Sequence, residues 1–216
     1  YEKTGQYEQA ANVYETYAVN NPKDKISGDF FYNAAVIREG MNYYKLAFRN
    51  FNEYYKKTNQ PDGLYHLAKV SEKRNNKKSA ISYYEKYLNR GPKDAQKSIE
   101  SAFKIAKINE QSGKKSEALK WYRTTLSVYK KYNKNDSSSS VGYAAEAEFK
   151  LAYETFIKLG AIKIPSNLAK QGPVVERKIA LLDKLTNELK QVISYQDPYQ
   201  VVASLTTIGQ AYQHMA

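Results

Sequence analysis

The chain reads as an all-α solenoid of antiparallel helix hairpins, and three observations lead to that class. An alanine followed four residues later by an aromatic recurs as Ala10-x-x-x-Tyr14, Ala47-x-x-x-Phe51, Ala80-x-x-x-Tyr84 and Ala118-x-x-x-Tyr122. These alanines stand at positions 10, 47, 80 and 118, hence 37, 33 and 38 residues apart. Self-similarity at a period of roughly 20–50 residues marks a stack of supersecondary units. A second alanine, at Ala35, Ala68 and Ala106, lies twelve residues before each of the last three. That constant offset asks for two helices joined by a turn of fixed length, with small residues where the axes approach and bulky neighbours interlocking beside them.

The elements follow in order. The first copy opens Gly5-x-Tyr7-x-x-Ala10, and Pro22, twelve residues after Ala10, is placed to stop that helix; Pro92 stands in the same relation to Ala80. Turn residues fall between the two alanine columns, at Asn42, Arg74-Asn75-Asn76 and Gly113. The array therefore spans residues 1–130. Residues 131–142 are polar and serine-rich, the composition of a flexible loop, and contain the sequon-like triplet Asn135-Asp136-Ser137, short enough to arise by chance. Ala144–Lys158 resumes as a first helix with Leu151-Ala152 at the small position. A connection over 159–173 is longer than a repeat turn, and Pro173 is placed to start the next helix. Val174–Ser194 then reads as a long helix with Ile179, Leu182, Leu185, Leu189, Val192 and Ile193 on its apolar face, but without the alanine–aromatic column. Asp197-Pro198 caps a last helix carrying Leu205-x-x-Ile208-Gly209-x-x-Tyr212. Residues 143–216 are thus divergent helices of the same kind.

The pattern resembles the tetratricopeptide repeat, a helix hairpin with Gly or Ala in its first helix and Gly-x-Tyr-x-x-Ala-x-x-x-Phe/Tyr, closed by Pro, in its second. Gly5, Tyr7, Ala10, Tyr14 and Pro22 match that second helix fully; the later copies match in part, with Asn42 and Asn75 in place of the glycine and Lys77 and Lys115 in place of the tyrosine. The resemblance implies a right-handed superhelix of about five or six hairpins, cut inside a repeat at both ends, and a role in holding protein or peptide partners. The loose spacing is similar to that of tetratricopeptide proteins of bacterial envelopes, including those of assembly and division machinery, and Asp197-Pro198-Tyr199 is similar to repeat proteins of surface motility. On that resemblance a periplasmic or outer-membrane-associated setting is expected, and self-association through uncovered repeat ends follows from the same reading.

The family's first helices line a concave face. Three residues before each small column stands an aromatic: Tyr32, Tyr65, Phe103 and Phe149. One residue after it come Val36, Lys69, Lys107 and Tyr153, and four after it Glu39, Glu72, Glu110 and Phe156. Two arrangements fit. In one, the rings form a ladder in a groove that holds a peptide, with Lys69 and Lys107 pairing a carboxylate. In the other, the rings pack against the neighbouring second helix and the lysines are solvated.

Composition sets the alternative. The net charge is +12, from 34 basic and 22 acidic residues, which favours acidic partners such as cell-wall polymer, anionic lipid or RNA. Arg74, Lys77, Lys78, Lys114 and Lys115 cluster at hairpin turns as a candidate basic edge. There is no cysteine, which excludes disulfides and thiolate metal sites. Twenty-one tyrosines suit half-exposed helix grooves, since each ring has an apolar body and a wet tip. No catalytic, metal, cofactor or nucleic-acid motif is present, and the two histidines, His66 and His214, are far apart. No apolar run reaches the length of a membrane span. No enzyme activity and no cofactor are expected.

Overall fold

The computed structural model describes residues 5–132 and 140–215. Ten α-helices and no strand occur among them: α1 (Tyr7–Asn20), α2 (Ser27–Gly40), α3 (Tyr44–Thr58), α4 (Pro61–Lys73), α5 (Lys77–Asn89), α6 (Ala95–Gln111), α7 (Lys115–Tyr132), α8 (Val141–Gly160), α9 (Gln171–Ile193) and α10 (Pro198–Gln213). Contacts group them into two compact units, residues 1–101 and 102–216, divided inside α6 rather than in the serine-rich segment. Contacts run chiefly between sequential helices, α1 with α2, α2 with α3, α3 with α4 and α4 with α5 in the first unit, and α7 with α8 and α8 with α9 in the second. Nearest-neighbour packing of this kind is what a repeat stack requires.

One backbone device makes each tight hairpin. Asn42, Asn75 and Gly113 have φ of 63°, 55° and 72°, the left-handed conformation that ends a helix without steric penalty only for Gly and at small cost for Asn. Each turn ties off the preceding helix with the same two bonds. Tyr43 N donates to Arg38 O at 2.8 Å and Asn42 N to Glu39 O at 2.9 Å; Asn76 N donates to Ser71 O at 2.9 Å and Asn75 N to Glu72 O at 2.8 Å; Lys114 N and Gly113 N reach Asn109 O and Glu110 O at 3.0 Å. The 6→1 and 5→2 pairing satisfies carbonyls that a helix end otherwise leaves orphaned.

The alanine columns are the contact lines. Ala35, Ala47, Ala68, Ala80 and Ala106 are fully buried, and Phe51, Leu67 and Val70 close the core around Ala35 and Ala47. Close approach goes further at Gly63 of α4, where a Cβ would come within 2.9 Å of the Tyr55 Cβ on α3. In the second unit the core is Ala152, Leu159, Leu182, Leu185, Leu189 and Ala211, each large aliphatic contributing roughly 2–3 kcal/mol by its removal from water.

Two boundaries and one buried face differ from the sequence reading. Lys131 and Tyr132 finish α7, and Val141 and Gly142 open α8; residues 133–139, with Asn135-Asp136-Ser137, lie outside the described residues. Helix α8 runs on through Gly160, and α9 starts at Gln171 after a 3-10 turn at Leu168–Lys170, so the irregular link is 161–167. Pro173 is the third residue of α9, within the first turn, where a backbone N–H has no intrahelical acceptor to lose. On α10 the buried face is Ser204, Thr207 and Ala211, while Leu205 and Tyr212 are exposed, because α8 and α9 pack on the opposite side.

Candidate functional site

The aromatic column sits inside the hairpins. Tyr32 meets Phe51 and Tyr54 of α3 at ring-centroid distances of 5.8 and 5.1 Å; Tyr65 meets Tyr84 and Tyr87 of α5 at 6.2 and 5.6 Å; Phe103 meets Tyr122 of α7 at 6.0 Å and Tyr143 at 5.1 Å. Tyr65 and Phe103 are each only 5% exposed. Packing explains this: each ring faces the second helix of its own hairpin. At about 100° per residue the −3 and +1 positions are i and i+4 on one face, so the lysine lies over the ring that precedes it, Lys69 over Tyr65 and Lys107 over Phe103. The rings of Tyr65 and Phe103 are therefore core, as in the second of the two arrangements, but Lys69 and Lys107 are half-buried rather than solvated. Phe149 is half-buried, with its ring 5.8 Å from that of Tyr153.

The +1 column is the accessible one. Val36 and Tyr153 are exposed, and Lys69 and Lys107 half-buried. Lys69 Nζ lies over the Tyr65 ring, 5.7 Å from its centroid. Lys107 is already engaged: its Nζ is 2.8 Å from Glu146 Oε1 and 3.6 Å from Glu110 Oε2. Lys150 Nζ pairs with Glu110 Oε1 at 2.7 Å, and Lys115 Nζ with Glu154 Oε2 at 2.9 Å. Three ion pairs thus bind one stripe of α8, Glu146, Lys150 and Glu154, to the preceding hairpin. The Tyr122 hydroxyl also donates to Glu110 Oε2 at 3.0 Å. Burial pushes the Glu110 carboxyl up, but the hydrogen bonds from Lys150 and Tyr122 outweigh it and hold the group below its ordinary range. Burial likewise pulls Lys107 down, and the Glu146 carboxylate more than restores it, leaving the ammonium above its ordinary range. The signal for this ladder was present in the sequence, as charges alternating in sign at i, i+4 and i+8.

Beside the ladder opens a concavity of about 340 Å³. Its apolar wall is Leu119 of α7 with Tyr153 and Ile157 of α8, and its polar rim includes Lys115, Lys150 and Glu154. Tyr153 is 38% and Ile157 44% exposed. The structure therefore joins two residues that the sequence assigned to different surfaces, Tyr153 to a groove and Lys115 to a basic edge.

Of the remaining edge residues, Arg74 makes a local contact. Arg74 follows α4 and stacks its guanidinium 4.9 Å over the Phe48 ring; Lys77 begins α5 half-buried, and Lys78 and Lys114 are exposed. In the first unit a second polar network links α2, α4 and α6. His66 Nε2 lies 3.2 Å from both Tyr32 Oη and Asp62 Oδ2, Lys97 pairs with Asp62, and the Tyr65 hydroxyl donates to Glu100 Oε2 at 2.8 Å. Burial would raise the Asp62 carboxyl, but His66 and Lys97 hold it down at about 2. The His66 ring also stacks on Phe51 at 4.7 Å, so this histidine is a packing residue. Among the described residues no group of three His, Asp or Glu side chains is arranged to hold a metal, and no helix is long and apolar enough to cross a membrane.

Ten helices that pack in sequence on their neighbours, with no strand among the described residues, give the fold of the tetratricopeptide-repeat proteins. The chain is similar to a tetratricopeptide-repeat protein of Bacteroides fragilis NCTC 9343, at 15% identity and a TM-score of 0.54, over 98% of this chain and 92% of that one. It is also similar to BtubC of P. vanneervenii, at 13% identity and a TM-score of 0.51, over 98% of this chain and 87% of that one. No protein-family model and no curated protein matches the sequence.

Proposed function

We propose that the chain is a non-enzymatic interaction scaffold and that the concavity bounded by α6, α7 and α8 holds a peptide segment of a partner protein. The observation that carries this reading is the pairing of exposed apolar surface with settled charge. Tyr153 and Ile157 stay accessible in a concave site whose cations, Lys115 and Lys150, each already have a carboxylate partner. A wall held in place by ion pairs loses little side-chain entropy on binding, and a half-exposed tyrosine offers both buried area and a hydroxyl to an incoming backbone. Lys107 belongs to the supporting ladder, and Val36 and Lys69 offer equivalent positions in the first unit. An envelope setting in assembly, division or motility rests on the sequence resemblance.

The test is selection of a peptide display library on the wild-type protein, followed by affinity measurement on a Tyr153→Ser, Ile157→Ser variant. Selected peptides should bind the variant at least about tenfold more weakly, the loss of roughly 1.4 kcal/mol. Equal affinity would remove the concavity from consideration. Retention on heparin, abolished by charge reversal at Lys78 and Lys114 and indifferent to Tyr153, would instead favour a polyanion at the lysine edge.

A further inference from the structure

The geometry points to a second docking site, a basic cleft at the junction of α8 and α9 that takes an acidic segment of a partner protein, with an apolar side chain of that segment seated between its carboxylates. The cleft has a volume of about 750 Å³ and lies wholly within residues 158–184. Four cations line it, Lys158 at the end of α8, Lys163 in the link, and Arg177 and Lys184 on α9, with no carboxylate among its lining residues. Its floor is apolar, from Ile162, Val174 and Leu181, all half-buried.

The charge arrangement sets this cleft apart from the ion-pair ladder of α6, α7 and α8. Lys107, Lys115 and Lys150 each meet a carboxylate within 2.9 Å. Of the four cleft cations only Lys184 has an acidic neighbour among the described residues, Glu188 at 3.7 Å, and that lysine is 62% exposed. The nearby acids of α9, Glu176 and Asp183, are exposed and line other faces of the helix. Four like charges around one hollow repel one another, so an anionic occupant gains from all of them together.

Spacing gives the occupant its form. On α9 the lining residues Val174, Arg177, Leu181 and Lys184 follow at steps of 3, 4 and 3, one stripe in which apolar and basic side chains alternate. Arg177 and Lys184 are seven residues apart, about 10.5 Å along the axis at 1.5 Å per residue. An extended peptide turns alternate side chains to opposite faces, so two carboxylates that both face the cleft stand at i and i+4, about 13 Å apart, with an apolar side chain at i+2 facing the same way. The long Arg177 and Lys184 side chains span that interval and leave the i+2 side chain over Leu181. The concave shape and half-buried apolar floor suit such a segment.

Fluorescence anisotropy tests this with a labelled twelve-residue peptide carrying two Glu four residues apart with Leu midway between them. Its comparison peptides carry Gln for Glu, or Ser for Leu. The Glu peptide should bind the whole chain, weaken with added salt, and lose about tenfold in affinity in an Arg177→Glu, Lys184→Glu variant. Both residues are exposed, so helical content should stay at the wild-type level by circular dichroism. The Gln and Ser peptides should each bind more weakly than the Glu peptide. A control variant, Lys23→Glu with Lys25→Glu, changes net charge equally from exposed positions in the other unit. An equal loss in that control would reduce the effect to net charge and overturn the site. So would equal binding of the Gln peptide, or capture of phosphatidylserine vesicles with the Glu peptide left unbound. Binding that survives Tyr153→Ser with Ile157→Ser keeps this site separate from the concavity proposed above.

Discussion

Asn75 shows how much one residue type settles. At φ 55° the backbone there is in a region that costs an ordinary side chain roughly 1–2 kcal/mol, that Asn tolerates, and that Gly enters freely. Asn75→Ala should therefore lower the stability of the first unit by about 1 kcal/mol, and Asn75→Gly should leave it unchanged or slightly raised, both read from urea midpoints at constant slope. The opposite order would mean that the Asn side chain, rather than the turn conformation, holds the hairpin. A related economy appears at Glu72 and Glu110. Each accepts the hydroxyl of the tyrosine twelve residues on, Tyr84 at 2.6 Å and Tyr122 at 3.0 Å, so one spacing repeats one bond in successive hairpins. The first hairpin has Glu39 but a phenylalanine at position 51, and its ring packs against Tyr32 and His66 instead.

Between elements, Asp62 is the most consequential group of the first unit, because it ties α4 to both the His66 ring on its own helix and Lys97 on α6. Its folded carboxyl titrates at about 2, below the ordinary 3.8. A depressed folded value means that the stabilisation is complete above about pH 4 and disappears as the pH falls through about 2. Asp62 is about a third exposed, and with solvent screening its contribution is on the order of 1–2 kcal/mol. Asp62→Asn should be less stable by that amount at pH 7 and should converge on the wild type between pH 4 and pH 2. A constant difference across that window, followed by urea denaturation at each pH, would show that the aspartate acts as the helix start rather than through its charge. Burial and ion pairing thus oppose one another here, and pairing wins.

For the whole molecule, a stack in which helices touch mainly their sequence neighbours should not melt as one body. Phe51 is fully buried between Ala35, Ala47 and Leu67, and Phe51→Ala should cost roughly 3–5 kcal/mol. Hydrogen exchange should place that loss in the amides of α2, α3 and α4, with α9 keeping its wild-type protection. Equal loss of protection in α9 would mean that the two units unfold cooperatively.

The sequence by itself determined the class of fold, because the alanine columns, the twelve-residue offset and the left-handed turn residues are local statements that each hairpin repeats. Of the apolar face it marked on α9, Leu182, Leu185, Leu189 and Val192 are buried, since a 3.6-residue period is visible without knowing the partner, whereas Ile193 is half-buried and Ile179 is exposed beside a buried Lys178. The candidate site was only half legible. Tyr153 and Lys115 stand out in the sequence, but on separate surfaces, and the spacing leaves Tyr65 and Phe103 open to either a groove or a core. Their burial depends on the angle each position makes with the neighbouring helix, which only packing fixes. The Glu146–Lys150–Glu154 stripe gains its meaning from Lys107, Glu110 and Lys115, 39 to 40 residues away in each pair. The basic cleft at Lys158, Lys163, Arg177 and Lys184 brings two helices and an irregular link to one hollow. Local period sets which residues face inward, whereas which charges find partners and which remain open is decided only when distant segments meet.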